Sequence, residues 1–291
     1  MGARDLSREL FGQRFQNPIL LAAGTAGFGK ELDGVLNLDR LGGLVTKAVS
    51  REPREGNAAP RVAEFPGGML NSVGLANPGV ARVREEYLPW IATRLRRARV
   101  LVNVVGFTVE EYGEVVAQLD GSPGITAFEL NLSCPNTRAG GIEFGADPGC
   151  IQRIVSLCRT RTRLPLIAKL SPVLPDIARM AETARDAGAD AISAVNTVPG
   201  LLFGGNSRAR LGSGNGGVSG PGLLPVGVLA VARIVERIGT TPVIGVGGVR
   251  SADDVRQYLK VGAALVAIGT AALADPRLPE RIVADLEQGD G

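Results

Sequence analysis

Short apolar runs alternate with longer amphipathic stretches along the chain. The runs are rich in Val, Ile, Leu and Ala and are apolar at consecutive positions, which is typical of parallel strands covered by helices on both faces. They predict strands at Ile19–Ala23, Gly43–Thr46, Leu101–Val105, Phe128–Leu132, Leu166–Leu170, Ala191–Val195, Pro242–Gly245 and Leu265–Gly269.

Between these runs, apolar residues recur at helical spacing. Ser251 precedes two acidic residues in the manner of a helix N-cap, and Gly188 and Gly262 stand where helices should end. About eight strand–helix units in one chain predict an α/β fold, a single (β/α)8 TIM barrel over residues 1–291. The predicted helices are Val80–Ala98, Pro148–Thr162, Asp176–Ala187, Leu223–Ile238 and Ser251–Val261.

Two connections are too long for a plain helical crossover. Ala48–Asn77 is rich in Pro, Gly and Asn, and Asn196–Gly222 carries many glycines. Long loops inside a compact domain usually serve function. Because both follow strands, we expect them to be active-site loops on the C-terminal face of the barrel.

Composition narrows the possible chemistry. The chain of 291 residues has no histidine, which excludes Ser-His-Asp triads, Cys-His dyads and histidine metal sites. Three cysteines without a CxxC pair argue against a disulfide framework, a zinc site or an iron–sulfur cluster held by this chain alone. We expect no metal.

Charge and hydropathy exclude further classes of function. A net charge of +3 and 4% aromatic residues do not favour nucleic-acid binding. No apolar signal region follows Met1, and no apolar run approaches the length of a membrane span. We therefore expect a cytoplasmic protein that binds neither nucleic acid nor a membrane.

Glycines and polar residues cluster at the predicted carboxyl ends of the strands, which a barrel brings to one rim. Gly247-Gly248 and Gly269-Thr270 follow the last two strands, where backbone N–H groups can approach a phosphate. The alternative is that these glycines only form tight turns. The pairing of both loops at this place favours a phosphate site.

Lys169 lies within an apolar run, although lysine is rarely buried unless it is paired. It could be a cation facing a cofactor ring that gains negative charge, or the Schiff-base lysine of an aldolase on the same barrel. It could also form a structural ion pair with a nearby Asp or Glu. Lys47 has similar interpretations and could also anchor a carboxylate.

Four asparagines, Asn71, Asn131, Asn136 and Asn196, lie at predicted strand ends or in the loops. Each amide offers both a donor and an acceptor, so together they could bind a ring with alternating carbonyl and N–H groups. Any one of them alone could be a turn residue.

Cys134 comes just after a predicted strand, between Ser133 and Pro135. Without histidine, acid–base chemistry would fall to a cysteine, a lysine, a tyrosine or a carboxylate. A thiol in a loop fits this use better than core packing. Cys150 and Cys158 fall in a helical pattern, which favours packing for both.

Several motifs resemble those of the class 1 dihydroorotate dehydrogenases, most closely the class 1B, NAD-linked catalytic subunits. The resemblance runs from Asn17 to Thr270, nearly the whole chain. Its most specific parts are the segments Pro66–Gly79, Asn131–Asn136, Phe144–Pro148, Lys169–Pro172 and Gly216–Pro221.

The resemblance implies oxidation of dihydroorotate to orotate in pyrimidine (UMP) synthesis, with FMN at the barrel mouth. Cys134 would remove the C5 proton while hydride passes from C6 to flavin N5. Lys169 would stabilise negative charge near flavin N1, and Lys47 would contact both FMN and the substrate carboxylate. The Asn196–Gly220 loop would close over the substrate.

The same resemblance implies two sets of contacts. FMN contacts are implied for Ala23, Lys47, Ala48, Asn103, Asn131, Lys169, Val195 and Gly220, with the phosphate at Gly247, Gly248, Gly269 and Thr270. Substrate contacts are implied for Lys47, Asn71, Ser72, Val73, Gly74, Leu75, Asn131, Asn136, Asn196 and Thr197.

A partner is also implied, because this chain has too few cysteines for its own cluster and shows no second, Rossmann-type domain. The partner would be an iron–sulfur subunit carrying FAD and a [2Fe–2S] cluster, in a heterotetramer built on a catalytic homodimer. Alternatives are a fumarate-linked class 1A-type enzyme, a dihydropyrimidine dehydrogenase-like FMN reductase, a Schiff-base aldolase and a non-catalytic barrel. Asn136 and Lys47 favour a carboxylated substrate.

Some positions depart from the family pattern. Ala23 stands where the family often has Ser, so one flavin hydrogen bond is expected to be missing. Val173–Pro175 replaces a more polar stretch, and Phe203–Gly205 makes the active-site loop more apolar. None of these changes removes an expected catalytic group.

Overall fold

Eight parallel strands close into a barrel in the computed structural model, which describes residues 4–133, 144–205 and 207–289. The barrel strands follow chain order, and the last pairs with the first, Val266 beside Ile19. In chain order the strands are β1 (Arg8–Leu10), β2 (Gln13–Phe15), β3 (Ile19–Leu21), β4 (Gly43–Val45), β5 (Val62–Phe65), β6 (Gly68–Asn71), β7 (Arg99–Val104), β8 (Ala127–Asn131), β9 (Leu166–Leu170), β10 (Ala191–Ala194), β11 (Val198–Gly200), β12 (Gly216–Ser219), β13 (Val243–Val246) and β14 (Leu265–Ile268).

The barrel consists of β3, β4, β7, β8, β9, β10, β13 and β14. These correspond to the predicted strands, so the predicted (β/α)8 barrel is confirmed. β9 has the predicted bounds, and the other strands differ from the prediction by at most two residues at either end.

Helices cover the outside of the barrel. In chain order they are α1 (Val80–Arg82), α2 (Leu88–Arg94), α3 (Val109–Leu119), α4 (Pro148–Arg159), α5 (Ile177–Asp186), α6 (Leu224–Ile238), α7 (Ala252–Lys260), α8 (Thr270–Ala274) and α9 (Leu278–Gln288). A π-helical segment, Val83–Tyr87, joins α1 to α2, and short 3-10 helices lie at Lys30–Leu32, Leu38–Arg40, Phe144–Ala146 and Pro221–Leu223. As predicted, Ser251 caps α7 by accepting a hydrogen bond from the Asp254 N–H.

The helix predicted at Val80–Ala98 ends earlier, at Arg94. Leu95 is extended, and the next three backbone N–H groups, of Arg96, Arg97 and Ala98, donate to the Asp39 carboxylate. That carboxylate takes the place of further helical hydrogen bonds, so the chain turns directly into β7.

The interior of the barrel is apolar toward the amino-terminal ends of the strands. Leu101, Ala127, Ile167 and Ala191 point inward from adjacent strands and belong to one buried cluster. The β1–β2 hairpin closes this end, because Phe15 joins the same cluster and Phe11 packs edge-on against Phe15, with ring centroids 6.4 Å apart. The apolar pattern did not predict this hairpin.

The two long loops do lie beyond the carboxyl ends of their strands, but they are not purely irregular. Together they form a four-stranded antiparallel sheet in the order β11-β12-β6-β5. Asn71 of the first loop pairs with Gly217 of the second. We call this four-stranded unit the loop sheet.

Within the described part of the chain, none of the helices combines the length and the apolar character needed to cross a membrane.

Candidate active site

Four polar side chains line adjacent strands inside the barrel, two residues beyond the apolar layer. Asn103, Glu129, Lys169 and Ser193 come from β7, β8, β9 and β10, and all four are buried. Strand alternation places them on the same face as Leu101, Ala127, Ile167 and Ala191. We call this set the polar layer.

Glu129 lies at the centre of the polar layer. Its Oε1 accepts a hydrogen bond from Asn103 Nδ2 at 2.6 Å and lies 3.7 Å from Lys169 Nζ. The second distance is an ion pair but is longer than a hydrogen bond. The ion-pair interpretation of Lys169 is therefore observed, and this pairing leaves the ammonium donors available to another acceptor.

Two polar atoms of this layer lack a hydrogen-bond partner in the described structure, Asn103 Oδ1 and Ser193 Oγ. Ser171 Oγ, just beyond β9, and Ser133 Oγ, just beyond β8, share this property. Buried polar atoms are normally satisfied, so a row of unsatisfied ones at one end of a barrel indicates a place where a polar ligand binds.

Asn131 lies two residues beyond Glu129 on β8 and pairs with Lys169 of β9. The buried Tyr112 hydroxyl donates to the Asn131 carbonyl at 2.6 Å. Tyr112 in turn packs edge-on against Phe144, with centroids 5.7 Å apart. These contacts fix the end of β8.

The predicted substrate loop Ser72–Leu75 is held by Asn57. The Asn57 amide donates to Ser72 Oγ at 2.7 Å, and its backbone N–H donates to the Val73 carbonyl at 3.1 Å. Gly74 and Leu75 both have positive φ, 73° and 57°. Positive φ is rare for leucine and is a form of strain found at ligand sites.

The loop sheet brings predicted substrate residues from both loops together. The Asn71 amide donates to the Gly217 carbonyl at 3.3 Å. A Cβ at Gly217 would overlap Thr197, so the absence of a side chain there lets Thr197 approach the sheet. Asn196 Oδ1 accepts a hydrogen bond from the Thr197 N–H at 2.9 Å.

The glycine loops after β13 and β14 lie side by side, because these two strands are paired in register. Gly247 and Gly248 have positive φ, and a Cβ at Gly248 would overlap the Leu224 backbone. The Thr270 hydroxyl donates to Ser219 Oγ at 2.8 Å, which ties the start of α8 to the loop sheet.

The shape of the Gly247 loop depends on Tyr258. The Tyr258 hydroxyl donates to the Gly247 carbonyl at 2.8 Å. The ring fits only because Gly227 and Gly245 lack side chains, since a Cβ at either position would overlap it. Burial raises the pKa of Tyr258, so the hydroxyl remains a donor at working pH.

A family model described as Dihydroorotate dehydrogenase matches residues 5–289. The chain belongs to the dihydroorotate dehydrogenase family. A relative from Desulforudis audaxviator is 45% identical over 280 residues, which are 95% of this chain and 90% of that protein. One from Geotalea uraniireducens is 42% identical over 288 residues, 99% of this chain and 93% of that protein. Both are named dihydroorotate dehydrogenase B (NAD(+)), catalytic subunit, so the resemblance drawn from the motifs is confirmed.

A solved structure supports the fold. The crystal structure of DHODH in complex with ferulenol from Eimeria tenella matches with a TM-score of 0.82, covering 97% of this chain and 83% of that chain. The sequences are only 20% identical, so this likeness concerns the barrel and not the details of the site.

In this dihydroorotate dehydrogenase barrel, the predicted site residues that the structure describes lie at the carboxyl ends of strands or in the loops beyond them. Lys47 and Ala48 follow β4, Ala23 follows β3 and Val195 follows β10. Gly220 packs against Gly68 at the edge of the loop sheet. The roles assigned to all these residues stay predictions.

Two predicted residues, the base Cys134 and the substrate ligand Asn136, lie outside the described residues. The described residues on either side are joined, since the Gly145 N–H donates to the Leu132 carbonyl at 2.8 Å. The packing predicted for the other two cysteines is confirmed, because Cys150 and Cys158 are both buried. Burial raises the pKa of the Cys158 thiol to about 12.

Glu129 is the residue that the sequence analysis missed. A signal for it was present, because a carboxylate within the run Phe128–Leu132 has the same strand parity as Asn131 and must therefore share its face. A buried glutamate calls for a partner, and Lys169 on the next strand provides one.

Proposed function

We propose that this chain oxidises dihydroorotate to orotate in pyrimidine synthesis, as the catalytic subunit of an NAD⁺-linked dihydroorotate dehydrogenase. The observation that carries the proposal is nearly full-length similarity to proteins named as that subunit. The polar layer adds a site of suitable chemistry at the end of the barrel where such sites form.

Enzymes of this family are flavin-dependent, and we propose FMN as the flavin bound here. The residues present fit it. Asn103 Oδ1 and Ser193 Oγ are buried without partners, and Lys169 is paired but not hydrogen-bonded to Glu129. A planar ring with N–H and carbonyl groups offers partners to such atoms.

The phosphate of FMN would be held beyond β13 and β14, on the other side of the rim from the strands that carry the polar layer. Gly247 and Gly248 adopt positive φ and bring the backbone close to the start of α6, and Gly269 and Thr270 stand at the start of α8, after the neighbouring strand. Backbone N–H groups in such loops bind phosphate oxygens. The other proposed FMN contacts come from Ala23, Lys47, Ala48, Asn103, Asn131, Lys169, Val195 and Gly220.

Bound FMN supplies an acceptor for the hydride that leaves C6 of the substrate. The chain's own residues do the rest. Cys134 Sγ takes the C5 proton, while the amides of Asn71, Asn131, Asn136 and Asn196 hold the pyrimidine ring. Lys47 pairs with the substrate carboxylate. The loop sheet and the Ser72–Leu75 segment cover the site and exclude water.

Electrons reach NAD⁺ through a second subunit in this proposal. The name catalytic subunit, carried by the relatives, implies such a partner. We propose that the partner holds FAD and a [2Fe–2S] cluster and docks on a homodimer of this chain. The three cysteines of this chain are too few for a cluster of its own.

The visible spectrum of the purified protein tests the proposal directly. We expect flavin absorption that bleaches when dihydroorotate is added without oxygen, and no bleaching with uracil or dihydrouracil. Cys134→Ala should retain the flavin and bleach far more slowly. A protein that takes up no FMN, or flavin that dihydroorotate leaves oxidised, would contradict the proposed function.

A further inference from the structure

The carboxylate of Glu129 has no part in the chemistry proposed above, although it contacts two residues that do. It accepts a hydrogen bond from Asn103 and pairs with Lys169. Glu129 is 1% exposed and Lys169 is 6% exposed, so the pair is shielded from water. A buried charge of this kind requires an explanation, because desolvating it is costly.

The first effect of Glu129 is on the orientation of Asn103. A carboxylate can only accept hydrogen bonds, so Asn103 must turn its Nδ2 toward it. The Asn103 Oδ1 is then left buried without a partner in the described structure. Next to a carboxylate, Asn103 is therefore held with its carbonyl oxygen Oδ1, an acceptor, available to a ligand.

The second effect is on Lys169. An ammonium group without a counter-charge is unstable in a barrel interior, and Glu129 supplies that charge. At 3.7 Å the contact stabilises the cation without using its N–H groups in a hydrogen bond. Lys169 therefore has a counter-charge beside it and keeps its N–H groups free to donate.

We propose that Glu129 is a positioning residue that sets the polarity of the flavin site, holding Asn103 as an acceptor and Lys169 as a cationic donor toward the ring. The inference rests on the proposed function, because it requires that the polar layer faces a flavin. It assigns a role to a residue that does not itself touch the substrate.

Sulfite binding to the holoenzyme of Glu129→Gln tests the role through Lys169. Sulfite adds to the flavin and leaves negative charge on the ring, which a nearby cation stabilises. We expect the sulfite dissociation constant to rise about tenfold, the scale of one lost charge-assisted contact. The two-electron midpoint potential should fall by about 30 mV, the equivalent of that tenfold change.

The direction of the change in sulfite affinity distinguishes a positioning role of Glu129 from a direct electrostatic effect of its charge on the ring. If Glu129 only placed a negative charge near the ring, its removal would tighten sulfite binding and raise the potential. Tighter or unchanged sulfite binding in Glu129→Gln would therefore overturn the inference. Glu64→Gln is the matched control, because Glu64 is an exposed strand residue of the loop sheet, and it should change neither quantity.

A double-mutant cycle with Lys169→Met shows whether Glu129 acts through Lys169. Removing Glu129 should weaken sulfite binding no further once Lys169 is gone, whereas an additive loss would contradict the coupling.

The affinity of the apoprotein for FMN reports the role through Asn103. It should fall in Glu129→Gln and not in Glu64→Gln.

The test remains decisive if Glu129→Gln alone does not fold. Replacing both members of a buried pair by apolar residues is often tolerated, so Glu129→Met with Lys169→Met should restore folded protein, and failure of this double variant would contradict the coupling. A wild-type chain without flavin would overturn the proposed function and this inference together. A wild type that bleaches normally beside an unaffected Glu129→Gln would overturn this inference alone.

Discussion

The thiol of Cys134 is the side chain on which the proposed proton transfer depends. A thiol is a weak base, and it accepts the C5 proton only as the thiolate. The wild-type rate of anaerobic flavin bleaching by dihydroorotate should therefore rise with pH. The rate should change about tenfold per pH unit below the thiol pKa and level off above it, where a free thiol has a pKa of about 8.5.

Substitution of Cys134 gives a matched set of variants. Cys134→Ala should slow bleaching by about 100-fold or more, the usual contribution of a general base. Cys134→Ser should retain some activity but lose the plateau at high pH, because a hydroxyl does not ionise in the same range. Stopped-flow absorbance measures both, and Cys150→Ser is the control because Cys150 is buried in α4. A Cys134→Ala rate close to wild type would rule out the thiol as the base.

Single residues also show where sequence-based prediction stops. Lys169 could be predicted as unusual because a lysine in an apolar run stands out, but its partner could not be chosen from the sequence. Glu129 is distant along the chain and meets Lys169 only because β8 and β9 are neighbours in the barrel. The orientation of the Asn103 amide follows from its own hydrogen bond to Glu129, and it could not be predicted from the sequence either.

Among the elements, the 3-10 helix Leu38–Arg40, which carries Asp39, is a point where pH should affect stability. Burial raises the pKa of this carboxyl, but hydrogen bonds from the Ala98, Arg97 and Arg96 N–H groups outweigh burial and hold the pKa below its usual value. A depressed pKa contributes stability above the unfolded value, about 3.9, and that contribution is lost as pH falls through the folded value.

Asp39→Asn should therefore lower the free energy of unfolding by about 1 kcal/mol at pH 7, since the neutral amide keeps only part of these hydrogen bonds. The difference from wild type should shrink as the pH falls below about 4. Urea unfolding at several pH values measures it. Asp253→Asn, at an exposed side chain, should have little effect at any pH. A deficit that stays constant with pH would contradict the linkage.

The loop after β13 offers a second prediction at this scale. Tyr258→Phe removes the donor to the Gly247 carbonyl and leaves that carbonyl unsatisfied. We expect FMN to bind about fivefold more weakly, equivalent to about 1 kcal/mol, because the proposed phosphate-binding loop at Gly247-Gly248 is less well defined. Fluorescence titration of the apoprotein with FMN measures it.

Tyr87→Phe serves as the control for Tyr258→Phe. Tyr87 packs against Phe28 with centroids 4.3 Å apart, in the π-helical segment Val83–Tyr87, which is not part of the loop after β13. Loss of the Tyr87 hydroxyl should leave the affinity for FMN unchanged. Equal affinities in the two variants would show that the Tyr258 hydroxyl does not shape the loop.

Elements were predictable where the pattern is local. Each barrel strand is a short apolar run between turns, so each could be assigned from its own residues. The strands of the loop sheet could not be assigned, because they contain Gly and Pro and gain their hydrogen bonds from a distant segment. The β1–β2 hairpin was missed because three-residue strands carry too little pattern.

At the scale of the whole molecule, the described residues form one barrel with its loop sheet. NAD⁺ reduction in the proposed function requires a second flavin and a cluster on another subunit. The purified chain should therefore oxidise dihydroorotate with an artificial dye acceptor but reduce NAD⁺ only after the partner is added. Cys134→Ala with the partner is the control. Direct NAD⁺ reduction by the chain alone would contradict the proposal that NAD⁺ is reduced on a partner subunit.

The barrel itself was predictable at this scale because a regular succession of strand–helix units has few ways to pack. The sequence also placed both long loops on the correct face. Their association was not predictable, because pairing of Asn71 with Gly217 depends on how the barrel positions the two loops.

Because the loop sheet pairs strands from both loops, a change in one loop affects the fit of the other. Its strands come from segments far apart in the chain, yet β6 pairs with β12 residue by residue, and Thr197 fits against Gly217. A chimera that takes one loop from a homologue would join strands that have diverged separately. A chimera that takes both loops would transfer strands that already fit each other. Functional chimeras in this family should therefore exchange the two loops together, although the loops are far apart along the gene.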